Sequence, residues 1–370
     1  MKLNYLYCGL LAAALAAGCA SDGGGKTANG QPLKNKVLVN DRQAAALMRS
    51  GNYAEAKALL DDSILTLGGI SAGDSGARKA RSMFSSESSK TFRGEPYERV
   101  MVFYYRGILY WMDGEPDNAR ACFRTGQVED SDAQENAYQG DYVLLDYLDG
   151  LASVKLAADG SDSYKRAEKN ARMIHPPAYD PQANVLVFAE MGYGPTKYAT
   201  GEHSEELRIR DGSSRTVAAN IRVGGTVFRA PAYDNLSYQA STRGGRVMDH
   251  ILANKAVFKD TTQSIGTAAI IGGAVAAGAG GRQGGEIGLG LVGAGVILNV
   301  LGSITKPAAD TRQWDNLPQY LGFSAFRLPP GNYQAAVDFV DTGGGVVASR
   351  PLTFTVASGR DTVLFVSDHN

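Results

Sequence analysis

A chain of 370 residues, 44% of them hydrophobic, is long enough for two domains, each with its own core. Its 37 Lys and Arg balance 38 Asp and Glu to a formal charge of −1, with the charges dispersed and no basic block, which excludes the electrostatic footprint of a nucleic-acid binder. Three cysteines exclude a disulfide framework, because Cys8 falls in a leader, Cys19 has another use and Cys122 is then alone. Cys122 lies between Ala121 and Phe123 in a helical pattern and reads as a small buried hydrophobe.

Lys2 and the apolar stretch 10–17 have the form of a secretory signal, too short to span a bilayer, which takes roughly 20 apolar residues. Leu15-Ala16-Ala17-Gly18-Cys19 resembles the bacterial lipobox. That resemblance implies that residues 1–18 are a lipoprotein signal peptide and that Cys19 is the lipidation site, carrying a diacylglyceryl thioether and an N-acyl chain such as palmitate. Ala20 in place of Asp after the cysteine implies sorting to the outer membrane. Two or more acyl chains hold a protein stably where one does not. Residues 19–35, with Gly23-Gly24-Gly25, read as a flexible polar tether.

Residues 36–175 carry helical periodicity. Gly51-Asn52-Tyr53-Ala54-Glu55-Ala56 is similar to the turn and second-helix start of a tetratricopeptide repeat (TPR). A second match places Gly107, Tyr110, Gly114, Ala119 and Phe123 on the repeat's small, aromatic, turn, small and aromatic positions. Pro96 and Pro116 suit the first turns of helices, where a missing N–H costs nothing. The first begins a long helix burying Met101, Tyr104, Ile108 and Trp111 on one stripe. A third pair is expected over 142–156 and 164–174. Repeat arrays offer a groove to a partner, which makes Tyr104, Tyr105 and Tyr110 the candidate partner-binding residues.

Past His175-Pro176-Pro177 the pattern becomes β-rich. The apolar run from Val185 to Met191 reads as a strand, and Val217, Ala219, Ile221 and Val223 share one face of another. Leu328-Pro-Pro-Gly-Asn-Tyr333 predicts a type II turn, with Gly331 at positive φ, launching a strand through Tyr333, Ala335, Val337 and Phe339. Asp341-Thr-Gly-Gly-Gly345 then closes a hairpin, and strands over 352–356 and 362–366 finish the sheet. The expected fold class is therefore α+β in two domains: a TPR-like α-helical array over 36–175, then an antiparallel β-sandwich-like domain over 181–370.

Inserted in the second domain, residues 264–304 form two apolar, glycine-studded arms around Arg282 and Glu286 and predict a glycine-zipper helical hairpin. Ala269, Gly273, Ala277, Gly281 and Gly285 recur every four residues, the small-xxx-small face that lets helices meet closely in lipid or in an oligomer. About ten glycines in the arms forgo roughly 10 kcal/mol of helix propensity, which packing or lipid must offset.

Together the pattern resembles a family of bacterial outer-membrane lipoproteins of no established activity, with a repeat-bearing helical half and a β-rich second half. The residues carrying the resemblance are Gly94-Glu-Pro-Tyr-Glu-Arg-Val-Met101, Gly192-Tyr-Gly-Pro-Thr-Lys197, Val257-Phe-Lys-Asp-Thr-Thr262, Trp314 and Leu328-Pro-Pro-Gly331. It implies envelope work beside lipoproteins that activate peptidoglycan synthases.

Motifs of chemistry do not assemble. Gly73-Asp74-Ser75-Gly76 spells a serine-protease nucleophile motif, but that family places its histidine upstream and none precedes Ser75. His175, His203, His250 and His369 are scattered without metal-ligand spacing, and the glycine pairs lack the lysine and Ser/Thr of a phosphate loop. The expectation is a non-catalytic adaptor on the periplasmic face of the outer membrane, with no cofactor or metal and no nucleic acid. Its partners would be the membrane, another envelope protein and other copies of itself. The alternatives are a membrane-inserting oligomer driven by the hairpin and, more distantly, a cell-wall or lipid hydrolase.

Overall fold

The computed structural model describes residues 33–69, 91–131, 139–242 and 308–369. The leader and tether, the serine protease-like tetrapeptide and the glycine arms lie outside these. Within them the chain is α+β, with helices in the first half and a β-sheet in the second.

Six helices run in antiparallel pairs: α1 (Lys36–Arg49) with α2 (Tyr53–Gly69), α3 (Pro96–Met112) with α4 (Pro116–Asp130), and α5 (Val143–Lys155) with α6 (Ser161–Asn170). Both prolines begin helices as expected, at Pro96 and Pro116. The turns inside the first two pairs need glycine, since Gly51 and Gly114 have φ of +78° and +84°. Close packing explains Gly107: a methyl there would lie 2.6 Å from a carbon of the Phe123 ring, so the small residue on α3 and the aromatic on α4 are one fitted contact. A short helix, α7 (Leu236–Ser241), follows the fifth strand.

The strands are β1 (Val185–Met191), β2 (Thr196–Thr200), β3 (Glu206–Arg210), β4 (Ala218–Val223), β5 (Thr226–Asn235), β6 (Tyr320–Phe326), β7 (Gly331–Val340), β8 (Val346–Val356) and β9 (Thr362–Ser367). β2 and β3 form a separate hairpin, and the other seven lie in the order β8-β7-β4-β5-β6-β1-β9. Two expectations need correction. β1 pairs in parallel with β9, so the sheet is not purely antiparallel. Gly331 is absent from the positive-φ glycines; it already lies in β7 opposite Val356, because the chain enters the ladder directly after the two prolines.

β1 is buried along its whole length, which explains its unbroken apolar run. Leu186 and Phe188 join a cluster with the helices, while Val185, Val187, Ala189 and Met191 join one on the other face with residues of β4 to β9. The sheet can enclose that second cluster because it folds over at β5, whose register shifts between Ala232 and Asp234 as its partner changes from β4 to β6. Its edge strands then approach: Arg350 Nη2 donates to the Asp368 carbonyl at 2.9 Å and Thr362 Oγ1 to that of Thr355 at 3.2 Å. The first cluster is continuous from Val37 to Phe365, so helices and sheet share one core across the change of pattern at 175–181.

Candidate functional site

The seam between helices and sheet brings together Glu98, Lys197 and Trp314 from three of the motifs that carried the family resemblance, while Val257–Thr262 lies outside the described residues. Gly94, at φ +77°, turns the chain into α3, where Glu95 and Glu98 form a capping box. Glu98 accepts from the Glu95 N–H at 2.6 Å and the Trp314 N–H at 2.7 Å, and pairs with Lys197 of β2 at 2.6 Å. The Glu98 and Lys197 side chains are 2% and 1% exposed. Burial pushes the Glu98 carboxyl up from its ordinary value, opposed by the Lys197 ammonium. The Phe92 ring adds a face to the Lys197 ammonium at 5.5 Å and to the Arg312 guanidinium at 5.4 Å.

Two further joints cross the seam. Arg49 of α1 donates to Glu190 of β1 at 2.8 Å and to the Asn316 carbonyl at 2.6 Å, and the Tyr105 hydroxyl donates to the other Glu190 oxygen. Glu190 is the polar member of the β1 face that otherwise presents Leu186 and Phe188. Asp234, just past the β5 irregularity, accepts the Val143 and Leu144 N–H groups of α5, each at 2.9 Å. It caps one half's helix from the other half's strand. Burial raises its pKa to about 7, opposed by those two N–H groups. Nearby in the helical layer, burial lifts Asp41 to about 8 although Ser63 donates to it at 2.6 Å. Each carboxylate here is held by fixed donors in a closed space; their chemistry is to fasten.

A concavity of about 870 Å³ opens at one end of the seam. Its floor is Trp111 at the end of α3, whose indole N–H donates to Asp361 at 3.0 Å. Lys155 donates to the other Asp361 oxygen at 2.7 Å and also to the Ala183 carbonyl. The walls are Leu328-Pro329-Pro330 and the Ala357–Arg360 turn, with Arg327 and Arg360 exposed at the rim. Asn184 fixes the proline wall, donating to the Leu328 carbonyl and accepting its N–H at 2.8 and 2.9 Å.

Tyr104 and Tyr105 are 1% and 0% exposed. The expectation that they line a partner's groove is corrected: their rings pack on Phe188 at 6.2 Å and on Phe365 at 6.1 Å, so the chain's own sheet occupies that face of the helices. Tyr110 is half-buried, with the Arg106 guanidinium 3.4 Å above its ring. Cys19 and the face of Ala269, Gly273, Ala277, Gly281 and Gly285 lie outside the described residues. Cys122 is buried, and burial raises its thiol to about 11. His175 faces Glu168 and His369 contacts the Gly192 carbonyl. Among the described residues no group of three or more His, Cys, Asp or Glu could hold a metal ion, and no helix is long and apolar enough to cross a membrane.

Glu98, Lys197 and Trp314 stand in separate motifs of the sequence, and nothing in their spacing signals that they meet. Glu190, a charge inside an apolar run, and Asp234, an acid before the Asn235 helix cap, carried faint signals.

No protein-family model matches the chain, and no curated protein or solved structure matches it either.

Proposed function

We propose that this chain is a non-catalytic lipoprotein of the cell envelope, anchored through acylated Cys19 on the periplasmic face of the outer membrane. Its task is to hold another envelope protein at a fixed position. On this reading the helix pairs are TPR-like and the folded sheet is sandwich-like. The glycine-zipper hairpin at 264–304 packs in or on the membrane.

The observation that supports an adaptor is the seam. Three buried polar joints and one continuous core tie the helices to the sheet. A body fastened in this way transmits position with little hinge motion, which suits a spacer between membrane and partner. Its docking surface is then an outer one, since the Tyr104 and Tyr105 face is already covered.

The test is metabolic labelling with a fatty acid, followed by affinity capture from crosslinked cells. Label that depends on Cys19 and a reproducible envelope partner are expected. Unlabelled protein, or capture of no partner, would overturn the reading. Membrane-driven self-assembly is the second reading, motivated by the four-residue recurrence from Ala269 to Gly285. Size analysis in detergent with and without 264–304 separates the two, and identical monomers would remove self-assembly.

A further inference from the structure

The cleft at the end of the seam has the composition of a binding site for one kind of ligand. Its internal charges cancel: both Asp361 oxygens are taken, one by the Trp111 indole and one by the Lys155 ammonium. What remains is positive. Arg360 has no ion-pair or hydrogen-bond partner among the described residues, and Arg327 makes one bond, to the Gln182 side chain at 2.6 Å. Two exposed guanidiniums on one rim suit a carboxylate, which such a fork binds bidentately. Scattered exposed arginines are common on any surface; these two differ in lining one open concavity of about 870 Å³, large enough for a short peptide segment to lie in.

The lining below the rim narrows the class. Pro329, Pro330, Leu328 and Ala357 offer apolar faces that an inorganic anion would leave unused. Gln182 and Ser358 add uncharged polar groups suited to peptide amides. The proline wall is held in place, because Asn184 bonds both the N–H and the carbonyl of Leu328, so little ordering entropy is lost there on binding. We propose that this cleft binds a peptide chain end: a few residues, apolar in part, finished by a free carboxylate that Arg327 and Arg360 receive. The site goes beyond the adaptor reading and does not depend on how the chain is anchored.

The test uses the purified full-length mature chain in detergent and a set of tetrapeptides with apolar side chains, each as the free acid and as the C-terminal amide. Binding is followed by calorimetry and by tryptophan fluorescence; the chain has two indoles, and Trp111 forms the cleft floor. The acids should bind about tenfold or more tighter than the amides. Arg327→Gln with Arg360→Gln should remove that preference while leaving the melting temperature unchanged, since both side chains are exposed. Equal binding of acid and amide would overturn the proposal, as would a double variant that binds like the parent. Inorganic phosphate competing as well as the peptide acids, or no binding up to about 10 mM, would overturn it too.

Discussion

Glu98 and Lys197 stand 99 positions apart in sequence and 2.6 Å apart in space, with both side chains sealed from solvent. A charge in that setting is tolerable only while its partner is present. Lys197→Met leaves Glu98 with two N–H donors and no counter-ion, and is expected to cost about 3–5 kcal/mol in urea unfolding. Lys197→Met combined with Glu98→Gln should cost less than the sum of the single changes, and a double-mutant cycle measures the coupling. Single variants as stable as the parent would show that the pair does not fasten the seam.

Asp41 sets a pH dependence of stability. Its ordinary value is 3.8 and its folded value about 8, so between these the folded chain holds a proton that the unfolded chain has released. The contribution is fully present below about pH 4 and is lost as pH rises through the folded value. Asp234, raised to about 7, adds to the same slope. Thermal melts across this window should show stability falling with rising pH. Asp41→Asn should flatten the slope and leave the variant more stable than the parent above pH 8, the folded value.

Asp234 offers a different test because its acceptors serve backbone donors. Asp234→Ala strands the Val143 and Leu144 N–H groups in the core, for an expected loss of about 2–4 kcal/mol. Asp234→Asn keeps one acceptor and should lose less. Amide hydrogen exchange at the start of α5 should quicken in the alanine variant first.

The three tyrosines separate a folding role from a docking one. Tyr104→Ala and Tyr105→Ala each empty a site in the shared core and should cost about 3–5 kcal/mol in denaturant unfolding. Tyr105→Phe removes only the hydroxyl that reaches Glu190 and should cost about 1–3 kcal/mol. Tyr110→Ala, at a half-buried position, should cost distinctly less than either alanine change in the core. If Tyr104→Ala instead left stability untouched and abolished partner capture, the groove assignment would stand after all.

The sequence by itself determined the local elements. Pro96 and Pro116 mark helix starts because proline costs nothing there, and the apolar run of β1 marks a strand. Gly107 and Phe123 stood on small and aromatic repeat positions, and the structure brings the two into contact. Each is a short-range property, readable within a few turns of chain.

Only the tertiary structure decided what those elements meet. The parallel pairing of β1 with β9 joins strands more than 170 positions apart, and no turn between them encodes the register. The same long-range packing took Tyr105, and Tyr104 that the helical stripe had already marked for burial, into the core and not into a partner's groove. An aromatic stripe on a helix looks alike whether a partner or the chain's own sheet covers it; which of them does depends on where the distant half of the chain packs.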